Sequence, residues 1–278
     1  VHHWGSPDWI TPDTPALVML HGWMDVGASF QFVVDAMASQ RYVIAPDWRG
    51  FGHSEAPQAD CYWFPDYLGD LDALLDQLLP DQAVDLLGHS MGGNVAMLYA
   101  GIRPQRIRRL INLEGFGLPA SHPSSAPKHY AAWLDELKTP QELRPYPSLE
   151  AVAQRLRTNN PLLRPEFAHW LAMHWARQRE DGQWEILGDP AHKRRNPVLY
   201  QKDEALACWA AITAPVLWVE GDRTDVAKWW GDRYPRADFE ARLHVIKQLD
   251  RHILSPAGHM LHHDQPEALA ALVDAFLS

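Results

Sequence analysis

Ser90 stands between two glycines in Gly88-His89-Ser90-Met91-Gly92, with apolar Leu86-Leu87 before it and the largely apolar run 94–100 after it. A serine hydroxyl is a weak nucleophile until a base activates it, so its setting matters more than its presence. Glycines at 88 and 92 predict a turn so tight that side chains there would strike neighbouring backbone. The serine is then held in a strained conformation with Oγ projecting from a strand end, and the following helix aims backbone N–H groups at the reacting atoms. That is the chemistry of attack on a carbonyl carbon. The plainer alternative, a glycine-rich turn with a capping serine, does not explain the strand–turn–helix setting. His21-Gly22-Trp23 follows another apolar run, 16–20, and predicts a loop whose Trp23 N–H joins that of Met91 in an oxyanion hole.

The elements that must hold these groups are legible in outline. Buried-strand runs at 16–20, 42–45, 84–87 and 109–113 alternate with helical stretches at 29–37, at 68–78 and from 94 onward. Leu68, Leu71, Leu74, Leu75 and Leu78 recur at helical spacing with acidic residues opposite. Such alternation predicts an α/β fold, a mostly parallel sheet with helices on both faces. The rhythm stops from about Pro119 to Leu206, where no strand is evident and helical stretches fall at 130–137, 149–156 and 167–176. It resumes at 215–219 and 243–246 and closes with a helix over 266–277. The expected organisation is a core of residues 1–118 and 207–278 and an inserted helical cap, or lid, of residues 119–206.

Composition sets the outer bounds. The 278 residues are 46% apolar and 22% charged, enough for one large domain with a real core. A net charge of −10 argues against nucleic acid or an anionic membrane as partner, since both call for clustered Lys and Arg. No apolar stretch approaches a membrane span and none reads as a signal peptide. Cys61 and Cys208 lack metal-ligand spacing and read as small apolar fillers in a reducing compartment, so a cytoplasmic location is expected. The first residue is Val1 rather than methionine, which leaves room for an upstream segment. His2-His3 has no supporting ligand set. Neither a metal nor a cofactor is expected, and the oligomeric state is not read.

With these motifs in hand, the chain resembles the α/β-hydrolase superfamily along nearly its whole length. The resemblance rests on His21-Gly22-Trp23, the stretch 47–54 (Asp-Trp-Arg-Gly-Phe-Gly-His-Ser), the turn at 88–92, and Gly258-His259 ahead of Asp264-Gln265-Pro266-Glu267. It implies that Asp47 and Arg49 are architectural and that His259 is the general base among fifteen histidines. His262 and His263 are then expected at the surface or on the approach to the last helix.

The third triad member is less direct. Many members of the family place an acid three residues after a glycine near 221, but that position here is Thr224, with Asp222 and Asp225 beside it. Glu114 ends the apolar run Ile111-Asn112-Leu113 one strand earlier, and resembles a subset of the superfamily with its acid there. A carboxylate ending a buried strand beside glycine otherwise serves only a local turn. Glu114 is therefore the first candidate, ahead of Asp225 and Asp222.

Ser90, His259 and Glu114 together predict a serine esterase working through an acyl-enzyme on a small-molecule ester of small to medium, partly hydrophobic character. Trp23, Phe116 and His89 are the pocket candidates. Most lid tryptophans (Trp133, Trp170, Trp175, Trp184) are expected to pack the lid on the core, and Lys193-Arg194-Arg195 to be solvated. A serine rather than an aspartate at the turn disfavours displacement at halide or epoxide carbon. Carbon–carbon hydrolase, lactonase or perhydrolase-like chemistry on the same triad, and a non-catalytic small-ligand receptor, are the competing readings.

Overall fold

A computed structural model describes residues 1–278, the side chain of residue 227 excepted. In chain order the strands are β1 (His2–Trp4), β2 (Leu17–Leu20), β3 (Val43–Ala45), β4 (Val84–His89), β5 (Ile107–Leu113), β6 (Ala176–Gln178), β7 (Trp184–Ile186), β8 (Val216–Gly221) and β9 (Leu249–Leu254). Seven of them form one sheet in the order β1-β3-β2-β4-β5-β8-β9, with β1 antiparallel to β3 and every other pair parallel.

Successive side chains on a strand point to opposite faces, and both faces of this sheet are buried. Val18, Leu20, Leu86, Leu110 and Trp218 look one way, towards α2 (Phe64–Leu78) and α3 (Met91–Ile102). Leu17, Met19, Leu87, Ile111 and Leu217 look the other way, towards α1 (Gln31–Ala36) and the closing helix. The connection after β2 thus packs on one face and the connection after β4 on the other. Adjacent strands whose connections diverge leave a crevice at their carboxyl ends, where ligands bind in open α/β sheets. Trp23 and Ser90 follow those two strands.

Between β5 and β8 the chain forms α4 (Ala126–Leu137), α5 (Leu149–Asn159), α6 (Pro165–Trp175) and α7 (Lys202–Ala211). Helices α5 and α6 build a small apolar cluster of their own around Val152, Leu156 and Leu171, and Phe32 of α1 joins it. The Phe32 ring lies flat on Phe167 with centroids 3.6 Å apart. Helix α4, by contrast, buries none of its residues. The segment also holds an antiparallel hairpin, β6–β7, where no strand was expected. Its signal was the Asp181-Gly182 pair, with Gly182 at φ +81°; three-residue strands are too short for alternation to register. The expected boundary at 206/207 falls inside α7, because Trp209 of that helix is buried against Trp218 of the sheet.

After β8 come α8 (Ala227–Trp230), α9 (Arg236–Leu243), β9, α10 (Leu261–Asp264) and α11 (Pro266–Leu277). The strand expected at 243–246 is instead the end of α9 and the loop beyond it, and β9 begins six residues later than expected. As an edge strand paired only with β8, β9 can carry Asp250, Arg251 and His252, so it lacks the apolar run that marks its neighbours. Among the described residues no helix is long and apolar enough to cross a membrane.

Candidate active site

Strand register does most of the positioning. Leu20 pairs with Gly88 and His89 pairs with Leu113, so the residues just beyond each strand end lie side by side. Ser90 N–H donates to the Leu113 carbonyl at 2.8 Å, and Glu114 N–H to the Val219 carbonyl at 3.2 Å. Ser90 and Glu114 both take positive φ, +52° and +59°, a conformation costly for a residue with a side chain. The glycines flanking Ser90 permit the turn. A Cβ on Gly88 would lie 2.3 Å from the Gly92 carbonyl oxygen, and one on Gly92 2.2 Å from that of Leu20. At Glu114 the turn is held by Asn112, whose Oδ1 accepts from Gly115 N–H at 2.7 Å.

The histidine arrives from the far side of the sheet, on the loop after β9. His259 Nε2 lies 2.9 Å from Ser90 Oγ, and its Nδ1 lies 3.1 Å from Glu114 Oε2. The other carboxylate oxygen, Oε1, accepts from Gly221 N–H at 2.6 Å. Glu114 is only 1% exposed, and burial pushes its carboxyl up to about 8 against the pull of that hydrogen bond. Burial also holds the His259 imidazole down to about 4. Groups this close titrate as a pair. The pair with one proton fewer carries net negative charge and the other form is neutral, so burial delays loss of that proton to higher pH.

Of the other two acid candidates, Asp222 binds Ser255 Oγ at 2.6 Å and Ala257 N–H at 2.9 Å. It braces the loop that carries His259 and does not touch the imidazole. Asp225 is exposed and, like Asp222, does not line the cavity around Ser90.

Trp23 and Met91 line that cavity beside Ser90. Met91 opens α3, where the first N–H groups have no partner within the helix. The Trp23 loop lies close to Ser90: a Cβ on Gly22 would sit 3.3 Å from Ser90 Cβ. His21 anchors this loop from beneath. Its Nε2 accepts from Trp48 N–H at 2.9 Å, which puts its proton on Nδ1, and Nδ1 donates to the Gly22 carbonyl at 2.8 Å. Asp47 accepts from Gly27 and His53 N–H groups, and Arg49 grips Asp70, so neither faces the cavity.

The cavity measures about 1050 Å³. Trp23 and Phe116 line it as expected, but His89 does not. His89 is 1% exposed, lies behind the site, and donates from Nε2 to the His259 carbonyl at 2.8 Å. The turn that projects Ser90 outward points its neighbour into the body. His262 and His263, expected near the surface, are 0% and 3% exposed because α10 turns both inward beside buried Leu261. Arg194 and Arg195 reach the cavity rim, where Arg195 pairs with Glu136 and Arg194 donates to the Asp60 carbonyl.

Sequence reasoning passed over several lining residues, among them Tyr62, Tyr67, His192, Tyr200 and Trp229. Trp229 sets its ring edge-on to His259 with centroids 4.5 Å apart. A tryptophan pair just past a strand tip was its signal. His192 is stacked between Phe51 and Tyr62, and nothing in its local sequence marks it.

Comparison with known proteins bears on the fold and the family. A family profile described as the alpha/beta hydrolase fold matches residues 15–266. The chain belongs to the α/β hydrolase family. It is 24% identical over 94% of its length to a serine hydrolase-like protein of Danio rerio, covering 81% of that protein. It is 30% identical over 81% of its length to a 3-hydroxybutyrate-oligomer hydrolase of Cupriavidus necator, covering 76% of it. Among solved structures, the thioesterase domain from the curacin biosynthetic pathway matches with a TM-score of 0.80 at 30% identity, over 98% of this chain and 93% of that one.

Proposed function

We propose that the protein is a serine hydrolase of carboxylic esters, with Ser90 as nucleophile, His259 as general base and Glu114 as the supporting acid. The observation that carries this reading is the continuous line from Ser90 Oγ through both His259 nitrogens to Glu114 Oε2, at 2.9 and 3.1 Å. Ser90 attacks the ester carbonyl as His259 Nε2 takes its proton, and Glu114 stabilises the imidazolium through Nδ1–H. The oxyanion forms between the backbone N–H groups of Met91 and Trp23, where no reorganisation is required as charge develops. His259 returns the proton to the leaving alkoxide, and water then resolves the acyl-enzyme by the same steps in reverse.

Residues 119–206 act as a lid in this scheme. His129 and Asn196 from that segment line the cavity together with Ser90, which supports the assignment. The aromatic lining suits a partly hydrophobic substrate of small to medium size. The likeness to a thioesterase domain favours thioesters as a second substrate class, since the same acyl-enzyme forms with a sulfur leaving group.

The deciding experiment measures initial rates on p-nitrophenyl esters of rising acyl length, with Ser90→Ala as blank. Turnover with an optimum at short to medium chains, falling by about 10⁴-fold or more in Ser90→Ala, is the expected result. Tight ligand binding without turnover on any ester or thioester would instead make the protein a receptor.

A further inference from the structure

A row of imidazoles runs inward from the candidate base. His89 lies 4.9 Å from His259 between ring centroids, His262 lies 4.3 Å from His89, and His263 lies 4.0 Å from His262. None of the last three lines the cavity, and acyl transfer uses none of them directly. Their hydrogen bonding is incomplete in a way buried polar groups rarely are. Both ring nitrogens of His262, Nε2 of His263 and Nδ1 of His89 are enclosed without a hydrogen-bond partner. Buried nitrogens without partners cost free energy and call for a ligand or an ordered water.

Asp25 lies against this group. One carboxylate oxygen of Asp25 and one ring nitrogen each of His262 and His263 fall within 4.8 Å of one another, the one such cluster found among the described residues. His262 Nε2 is 3.7 Å from Asp25 Oδ2. Two ligand atoms at zinc-bond length in a tetrahedral site stand about 3.4 Å apart, so a shift of a few tenths of an ångström brings the pair to an ion. The carboxylate is already oriented: Oδ1 accepts from Val26 N–H and Trp175 Nε1–H, both at 2.9 Å, and Oδ2 accepts from Ser29 Oγ at 3.0 Å. Such outer contacts are what hold a ligating group in place. Burial also keeps both imidazoles neutral, the form that donates a lone pair to a metal.

We propose that Asp25, His262 and His263 bind one divalent transition-metal ion of the zinc class. Two imidazoles and one carboxylate suit zinc, cobalt or nickel and disfavour magnesium and calcium, which take mainly oxygen. The ion acts as a clamp rather than as a reagent. It joins α10, two residues past His259, to the loop two residues past Trp23, and so fixes the two segments that bring the candidate base and an oxyanion donor to Ser90.

The test begins with chelator-stripped full-length protein titrated with Zn²⁺ and with Co²⁺. One tightly bound ion per chain, a rise of several degrees in Tm with Zn²⁺, and visible d–d absorption with Co²⁺ are expected. All three should survive in His2→Ala/His3→Ala and vanish in Asp25→Asn. Because Asp25→Asn risks misfolding, wild-type crystals soaked in Zn²⁺ supply an independent readout at the zinc absorption edge. An anomalous peak among Asp25, His262 and His263 supports the proposal. A peak only at exposed histidines, or ordered water filling the cluster in the presence of Zn²⁺, overturns it.

Discussion

Two buried carboxylates at opposite ends of the sheet show how a shared cost is met in two ways. Asp85, near the start of β4, and Glu114, just past the end of β5, are 0% and 1% exposed. Burial pushes both carboxyls upward. At Asp85 two guanidiniums answer it: Arg41 at 2.9 Å, and Arg108 through Nε at 2.8 Å and Nη2 at 2.6 Å. Both arginines also donate to the Leu277 carbonyl, so the trio fastens the closing helix to the sheet. At Glu114 the partner is the His259 imidazole, which unlike a guanidinium exists as a neutral base able to take up and release a proton. A guanidinium partner keeps its charge and gives structure. An imidazole partner leaves a mobile proton, which is what the proposed triad requires.

Substitutions sharpen that contrast, and the largest effect is expected at the sheet's carboxyl end. In Glu114→Gln, kcat on the best ester should fall by about 10²–10⁴-fold while Tm stays close to wild type, because the amide no longer holds the Nδ1–H tautomer. Equal loss in Asp225→Ala, with Glu114→Gln active, would transfer the acid role. Asp85→Asn should do the reverse, lowering stability by about 3–5 kcal/mol in urea denaturation by leaving Arg41 buried without its countercharge, with kcat per folded molecule unchanged. A drop in kcat there would mean that the two ends are coupled.

The pH profile separates the partners further. In the wild type, kcat/KM should rise with pH as the His259–Glu114 pair loses its shared proton, since the protonated pair has no free Nε2 lone pair. In Glu114→Gln the residual activity should show that limb at lower pH, because burial alone then acts on His259. A limb unmoved by the substitution would mean that Glu114 does not share the proton. Asp222→Ala should be mildest, within about threefold of wild-type kcat, as the carboxylate braces the loop from its exposed side.

How far the chain could be read follows from where its constraints are local. Ser90 was legible because its turn tolerates only glycine at 88 and 92, and Glu114 because a carboxylate ending an apolar strand stands out. Both are fixed by a few adjacent residues. His259 needed a family pattern, since fifteen histidines offer no local distinction. The burial of His89, His262 and His263 was not legible, because it depends on a four-residue helix turning inward and on strands far away in sequence. Strand β9 was misplaced for a related reason: an edge strand need not be apolar.

The helices between β5 and β8 are not uniformly attached. Helices α5 and α6 share a packed interior with Phe32, so lifting them would tear open a small core and unstack two rings. Helix α4 has no fully buried residue and leaves Tyr130 and Leu134 about half exposed, and it is tied down mainly by Glu136 to Arg195 and His129 to the Asn196 carbonyl. Its amides should exchange with deuterium well before those of α5 and α6. On the proposed lid reading, the α4 edge of residues 119–206 should therefore open before the α5–α6 side that is packed against Phe32.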